Sequence, residues 1–183
     1  MMRPALYWLL GLPGIGKTHT ARPLLASHGQ TYVEADDFRI QAWGDYMAAT
    51  PSAAGRSGGA ALSRAYVQAI CDVGAFTRFH VALAPFLLRR LRAHAGAHTG
   101  ARVVIEVSSL YAHALTRDDR QVFVTVAAEV HMSRLASSLQ IDSDLARQLH
   151  WTYALAELRL RRPGADTGPV DLHDTAALLE RLS

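Results

Sequence analysis

The chain of 183 residues holds one cysteine, one lysine and no asparagine. The single thiol, Cys71, excludes an internal disulfide framework and a cysteine-based zinc site, and it suits a reducing compartment. No apolar run approaches the ~20 residues that a bilayer-crossing helix requires. The apolar stretch Ala5–Leu10 is short and enters a glycine loop without a small-residue cleavage site, which sets a signal peptide aside. The expectation is a cytoplasmic protein without a membrane partner. Half the residues are hydrophobic and 19% are charged, so one ordinary domain with a buried core is within reach.

Eighteen arginines stand against that one lysine, Lys17. Arginine is a wide planar fork, whereas lysine is a slim point charge on a flexible stem, so the place of Lys17 is informative. It closes Gly11-Leu12-Pro13-Gly14-Ile15-Gly16-Lys17-Thr18, a G-x-x-x-x-G-K-T string with His19 next to it. A strand-length apolar run precedes the string, and a helix is expected over Thr18–His28. This is the context of a phosphate-binding loop, in which glycines let backbone N–H groups turn toward a polyphosphate and the helix N-terminus adds its positive end. Lys17 would bridge the β- and γ-phosphates of ATP, and the Thr18 hydroxyl would hold Mg²⁺.

The remaining pattern alternates. Strands are expected at Thr31–Glu34, Arg102–Val107, Gln121–Val126 and Val170–Leu172. Helices are expected at Asp37–Ala49, Ala61–Ala75, Val81–Ala95, Glu129–Ser137, Ser143–Arg161 and Thr175–Leu182, with Pro85 starting or kinking the third and Thr50–Gly59 as a loop. The reading is α/β: a P-loop NTPase domain over 1–183, with a five-stranded parallel sheet flanked by helices. A helical acceptor-side insert at about 37–98 would cap one end of the sheet, and a lid would cover about 134–147.

Charge is uneven. Residues 37–100 carry seven arginines and three aspartates, so the positive excess of the chain lies in the insert. Arg89, Arg90 and Arg92 form either a solvated face or a cradle for an anionic acceptor. No alternation of basic and aromatic residues marks a nucleic-acid track, and a 5′-hydroxyl end is the one nucleic-acid substrate left open. A GTPase switch needs an Asn-Lys-x-Asp motif, which a chain without asparagine cannot supply. A motor ATPase needs a paired acidic Walker B, whereas Glu106 is a lone acid at a strand end. A small kinase needs a base, an acceptor pocket and an arginine lid, and each has a candidate. Asp36, just past the second strand, can take the proton of an acceptor hydroxyl, or it can merely cap the next helix. Arg39, one turn on, can fix an anionic group. Glu106 can hold Mg²⁺ through water or face the acceptor. Arg134 and Arg147 flank Leu135–Ala146, the lid candidate. His94 and His98, with glycines beside them, and the other seven histidines are read as non-catalytic.

Several segments resemble dephospho-coenzyme A kinases, of the nucleoside-monophosphate-kinase type. They are the loop Gly11–Thr18, Glu34-Ala35-Asp36, Ala84-Pro85-Phe86, Val103–Val107 with Leu110, Gln121–Val126 followed by Ser133-Arg134-Leu135, and Ala165-Asp166 leading to Val170-Asp171. The resemblance implies ATP-dependent transfer to a ribose 3′-hydroxyl, with Asp36 as base. The loop followed by Asp36-Asp37-Phe38-Arg39 also resembles the polynucleotide 5′-hydroxyl kinases, and small antibiotic or metabolite O-phosphotransferases share the frame. All imply Mg-ATP and a hydroxyl acceptor. Outside the kinase class stands a non-catalytic nucleotide-binding switch.

Overall fold

The structure, a computed structural model, describes residues 4–50, 58–98, 102–161 and 168–182. Its centre is β1 (Leu6–Gly11), a continuous apolar run with residues 7–11 all buried. A strand apolar on both sides needs cover on both sides, which is the condition of a parallel sheet between helical layers. Alternation sorts the side chains: Trp8 and Leu10 enter one core, Tyr7 and Leu9 the other. Four strands join it: β2 (Thr31–Glu34), β3 (Val103–Ser108), β4 (Arg120–Thr125) and β5 (Val170–Asp171). All pairings are parallel, in the order β2-β3-β1-β4-β5.

One face is covered by α1 (Lys17–Ser27) and α7 (Thr175–Arg181), whose Ala21, Leu25 and Leu178 pack on Tyr7, Leu9, Val104 and Val122. The other face carries α2 (Asp36–Ala48) and α4 (Val73–Gly96). Trp43 and Met47 of α2 and Leu83, Leu87, Leu88 and Leu91 of α4 meet Trp8, Leu10 and Ile105. The expected insert therefore does not simply cap the sheet's end, because two of its helices form a main layer of the core. A third cluster joins α3 (Gly59–Ile70), α4, α5 (Ala128–Leu139) and α6 (Ser143–Leu160) through Ala69, Phe76, Leu135, Tyr153 and Ala156.

Helices expected at 61–75 and 81–95 are divided elsewhere. The break falls at Cys71-Asp72, where the Asp72 carboxylate accepts the Ala75 N–H at 2.5 Å and caps α4. From there α4 runs 24 residues, straight through Pro85. Proline removes the bond to the carbonyl four residues back, that of Val81, but Val81 is 46% exposed and water can satisfy it. Burial of the leucine stripe, at about 1.5–3 kcal/mol per side chain, outweighs the local cost. Of the expected loop at 50–59, residues 51–57 lie outside the described residues and Gly59 already belongs to α3. A 3₁₀ helix at Ser109–Ala114, directly after β3, was not expected. Ala165-Asp166 of the resemblance also lie outside the described residues.

Candidate functional site

The phosphate-loop sequence leaves β1 and turns into α1 through two left-handed glycines, Gly14 at φ 81° and Gly16 at φ 87°. Both positions are closed to side chains. A Cβ at Gly14 would come within 2.8 Å of the Leu135 Cδ2 atom, and one at Gly16 within 2.8 Å of the Arg134 Nη1 atom. Gly11 and Ile15 do not line the cleft. Ile15 is 2% exposed and plugs the core beneath the loop, and the Gly11 carbonyl serves Lys17. The N-terminus of α1 has no side-chain cap and no acid in its first turn, so its N–H groups stay available to an anion.

Lys17 Nζ donates to the carbonyls of Gly11 and Leu12 at 3.0 Å each and stands 3.7 Å from Glu106 Oε1. Burial lowers its pKa, while Glu106 and Asp36 pull it back up. The register of β1 on β3 brings Glu106 opposite Leu9, at the carboxyl end of the sheet. There Glu106 Oε2 accepts from Thr18 Oγ1 at 2.6 Å and from the Tyr32 hydroxyl. Burial, with Glu106 second, pushes the Tyr32 pKa up and holds it as a donor. Hydroxyl and carboxylate oxygens side by side are the donor types Mg²⁺ prefers, and the bare glycine turn beside Lys17 suits a polyphosphate. The residues present therefore fit both groups.

Pro13, Gly14, Gly16, Lys17, Thr18, His19, Asp36, Arg39, Glu106 and Arg134 line one cleft of about 740 Å³. β2 is separated from β1 by β3, yet Asp36 still faces this cleft from the first turn of α2. Ala35, not Asp36, occupies the capping position, and no side chain caps α2, so the capping alternative for Asp36 falls away. Asp36 is exposed and pairs with Arg39 Nη1 at 3.2 Å. Arg134 reaches across the loop to the Ile15 carbonyl, with His173 Nε2 at 3.3 Å from its other amine. Arg147 is not among the cleft residues and pairs with Asp144 at 3.2 Å. The segment between the two arginines comprises the end of α5, a short turn at 140–142, where Gln140 takes a left-handed conformation, and the start of α6.

The arginines of α4 form no anion cradle. Arg90 grips Asp45 of α2 with Nε and Nη2 at 2.7 Å each, Arg89 joins at 3.2 Å, and Arg92 pairs with Asp119 at 2.8 Å. What the sequence reading missed is a set of buried polar rings. Tyr66, His80 and Tyr111 line the cleft, and His131 supports it from behind, with Nε2 2.8 Å from the Pro13 carbonyl. Burial lowers the pKa of both histidines to about 4, so both stay neutral. Their positions on buried helix faces were the only available signal.

No family model matches the sequence, and no curated protein matches it. Solved structures do. The Thermus thermophilus protein TT1252 aligns with a TM-score of 0.63 at 18% identity, over 100% of each chain. Shikimate kinase from Bacteroides thetaiotaomicron aligns at 0.52 and 14%, over 97% of this chain and 94% of that one. The tunicamycin resistance protein of Deinococcus radiodurans aligns at 0.51 and 19%, over 98% and 94%. At such identities the likeness is one of architecture, which agrees with the strand order and the helical layers. The chain shares the α/β fold of these structures, a five-stranded all-parallel sheet flanked by helices.

Proposed function

We propose that the protein is a Mg-ATP-dependent phosphotransferase that moves the γ-phosphoryl group to a hydroxyl of a small acceptor. The observation that carries this reading is the shared cleft: Lys17, Thr18 and Glu106 on one side, Asp36 and Arg39 on the other. In this reading Gly14, Gly16 and the α1 N-terminus seat the polyphosphate, and Lys17 neutralises charge between the β- and γ-phosphates. Mg²⁺, held by Thr18 directly and by Glu106 through water, would supply further charge neutralisation on the phosphate oxygens. Asp36 takes the proton as the acceptor oxygen attacks in line. Arg134, once released from the Ile15 carbonyl, stabilises the transferring group, and the turn between α5 and α6 excludes water as a lid over 134–147.

The finer reading is a small anionic acceptor fixed by Arg39, as in dephospho-coenzyme A kinase, with Arg147 approaching when the lid closes. Transfer from γ-labelled ATP tests it, using dephospho-coenzyme A, nucleosides, 5′-hydroxyl oligonucleotides, aminoglycosides and shikimate as acceptors. Label on one acceptor identifies the class. Label on none, with only slow phosphate release, replaces the kinase by a nucleotide-binding switch.

A further inference from the structure

Part of the cleft wall is made of aromatic rings and contains polar atoms that no protein group satisfies. His80 lies 4.4 Å from Phe76, 5.1 Å from Tyr111 and 6.2 Å from Tyr66, measured between ring centroids. Its Nδ1 is 2.9 Å from the Phe76 carbonyl. A carbonyl only accepts, so Nδ1 carries the proton and Nε2 is a bare lone pair. Burial lowers the His80 pKa to about 4, which keeps it so at neutral pH. Tyr111 is 3% exposed, and its hydroxyl is buried without a hydrogen-bond partner, as is Arg39 Nε. Buried polar groups without partners are rare, and a group of them along one cleft is the mark of a ligand's place.

This part of the cleft offers more than the Arg39 charge, which Asp36 shares at 3.2 Å. It offers a donor (Arg39 Nε), an acceptor (His80 Nε2) and a hydroxyl able to do both (Tyr111). The Arg39 guanidinium lies 5.3 Å over the Tyr66 ring, so the donor stands at the edge of an apolar wall suited to the C–H face of a ring. An alcohol oxygen, which both donates and accepts, can answer each of these groups. We propose that Arg39 Nε, Tyr111 and His80 Nε2 form a subsite that binds a second hydroxyl of the acceptor, so that the acceptor is a polyhydroxylated ring, a sugar or cyclitol, rather than a monoalcohol. This rests on the phosphotransferase reading, in which the first hydroxyl lies at Asp36.

The test uses the full chain labelled with ¹⁵N-histidine and loaded with Mg-ADP, and follows the His80 Nε2 resonance, assigned with H80F. Addition of myo-inositol or D-ribose is expected to move it as the lone pair accepts a hydrogen bond, and cyclohexanol at equal concentration is expected to leave it in place. His80→Phe keeps the ring and removes the lone pair, and it is expected to weaken binding of the responding polyol by about 10-fold or more. His80→Gln, which puts an amide oxygen near the Nε2 position, is expected to restore much of it. Nucleotide binding by each variant reports that it is folded. The proposal is overturned if neither polyol moves the resonance, if H80F binds polyol as the native chain does, or if Nε2 is already hydrogen-bonded before addition, which would mean a buried water only. Transfer from γ-labelled ATP is scored separately. Transfer to monoalcohols and polyols alike removes the subsite and leaves the kinase. Polyol binding at His80 with no transfer to any acceptor removes the kinase.

Discussion

His131 donates its Nε2 proton to the Pro13 carbonyl at 2.8 Å, so a residue of α5 holds a peptide of the phosphate loop from behind. With that proton on Nε2, neutral His131 has a lone pair on Nδ1, and this accepts from His150 Nδ1 at 2.9 Å. The chain of bonds runs from α6 through α5 into the loop, and both histidines are buried.

His131→Phe is expected to leave the Pro13 carbonyl without its partner and to lower stability by about 1–3 kcal/mol. His131→Gln, which keeps an N–H near the same point, should cost less. Urea unfolding of the three chains checks this, and equal midpoints would mean that the bond contributes nothing.

Stability should also depend on pH through this histidine and His80. Burial, acting with the nearby His150, Lys17 and Arg134, brings His131 to about 4, and burial with Arg39 and His113 nearby does the same for His80. An unfolded histidine titrates near ~6.5, so between these values only the unfolded chain takes the proton. Stability is therefore complete above about pH 6.5, falls as pH drops toward 4, and levels off below. The urea midpoint followed from pH 7 to 4 should fall less steeply in H131F than in the native chain. Parallel curves would remove His131 from this linkage.

Gly14→Ala should lower both stability and ATP affinity. The left-handed backbone alone costs about 1–2 kcal/mol for a residue with a Cβ, and that Cβ also meets Leu135 at 2.8 Å. Leu135→Ala leaves a cavity on its own, so the double variant should be less destabilised than the sum of the single ones. Strict additivity in thermal unfolding would show that the contact with Leu135 is not what closes the position.

Asp36→Asn should keep Mg-ATP affinity and lose transfer by ~10²-fold or more. The carboxylate is exposed and makes one ion pair, with Arg39, so the fold should tolerate the change. Calorimetric ATP binding beside single-turnover transfer separates the two effects, and unchanged transfer would remove Asp36 as base.

Lys17 is the only lysine, so an amine reagent can label it and the N-terminal amine alone. Mg-ATP should protect Lys17 and leave the N-terminal amine reactive, as read by peptide mass mapping. Equal labelling with and without nucleotide would argue against phosphate binding at the loop.

The parts legible in the sequence were those written locally or in strand pattern. The loop Gly11–Thr18 carries its own geometry, and the β-branched run Val103–Val107 announced a buried strand with Glu106 at its end. Pairing across the fold was not legible. Thr18 and Glu106 are 88 positions apart, and His131 and Pro13 are 118 apart, so no spacing rule connects them. Pro85 misled because a breaker's cost is local, whereas the leucines around it gain their burial from the sheet. For Arg89, Arg90 and Arg92 the sequence left a solvated face and an anion cradle both open, because Asp45 and Asp119, which hold them, are remote in sequence.

The strand order has a consequence for how the protein is born. β1 and the glycine loop are made before the strands on either side of β1, since β3 and β4 lie about a hundred residues downstream, and the His131 support follows them. A nascent chain thus carries a finished glycine loop beside a strand open on both edges, and translation must pass α5 before that loop gains its support from His131.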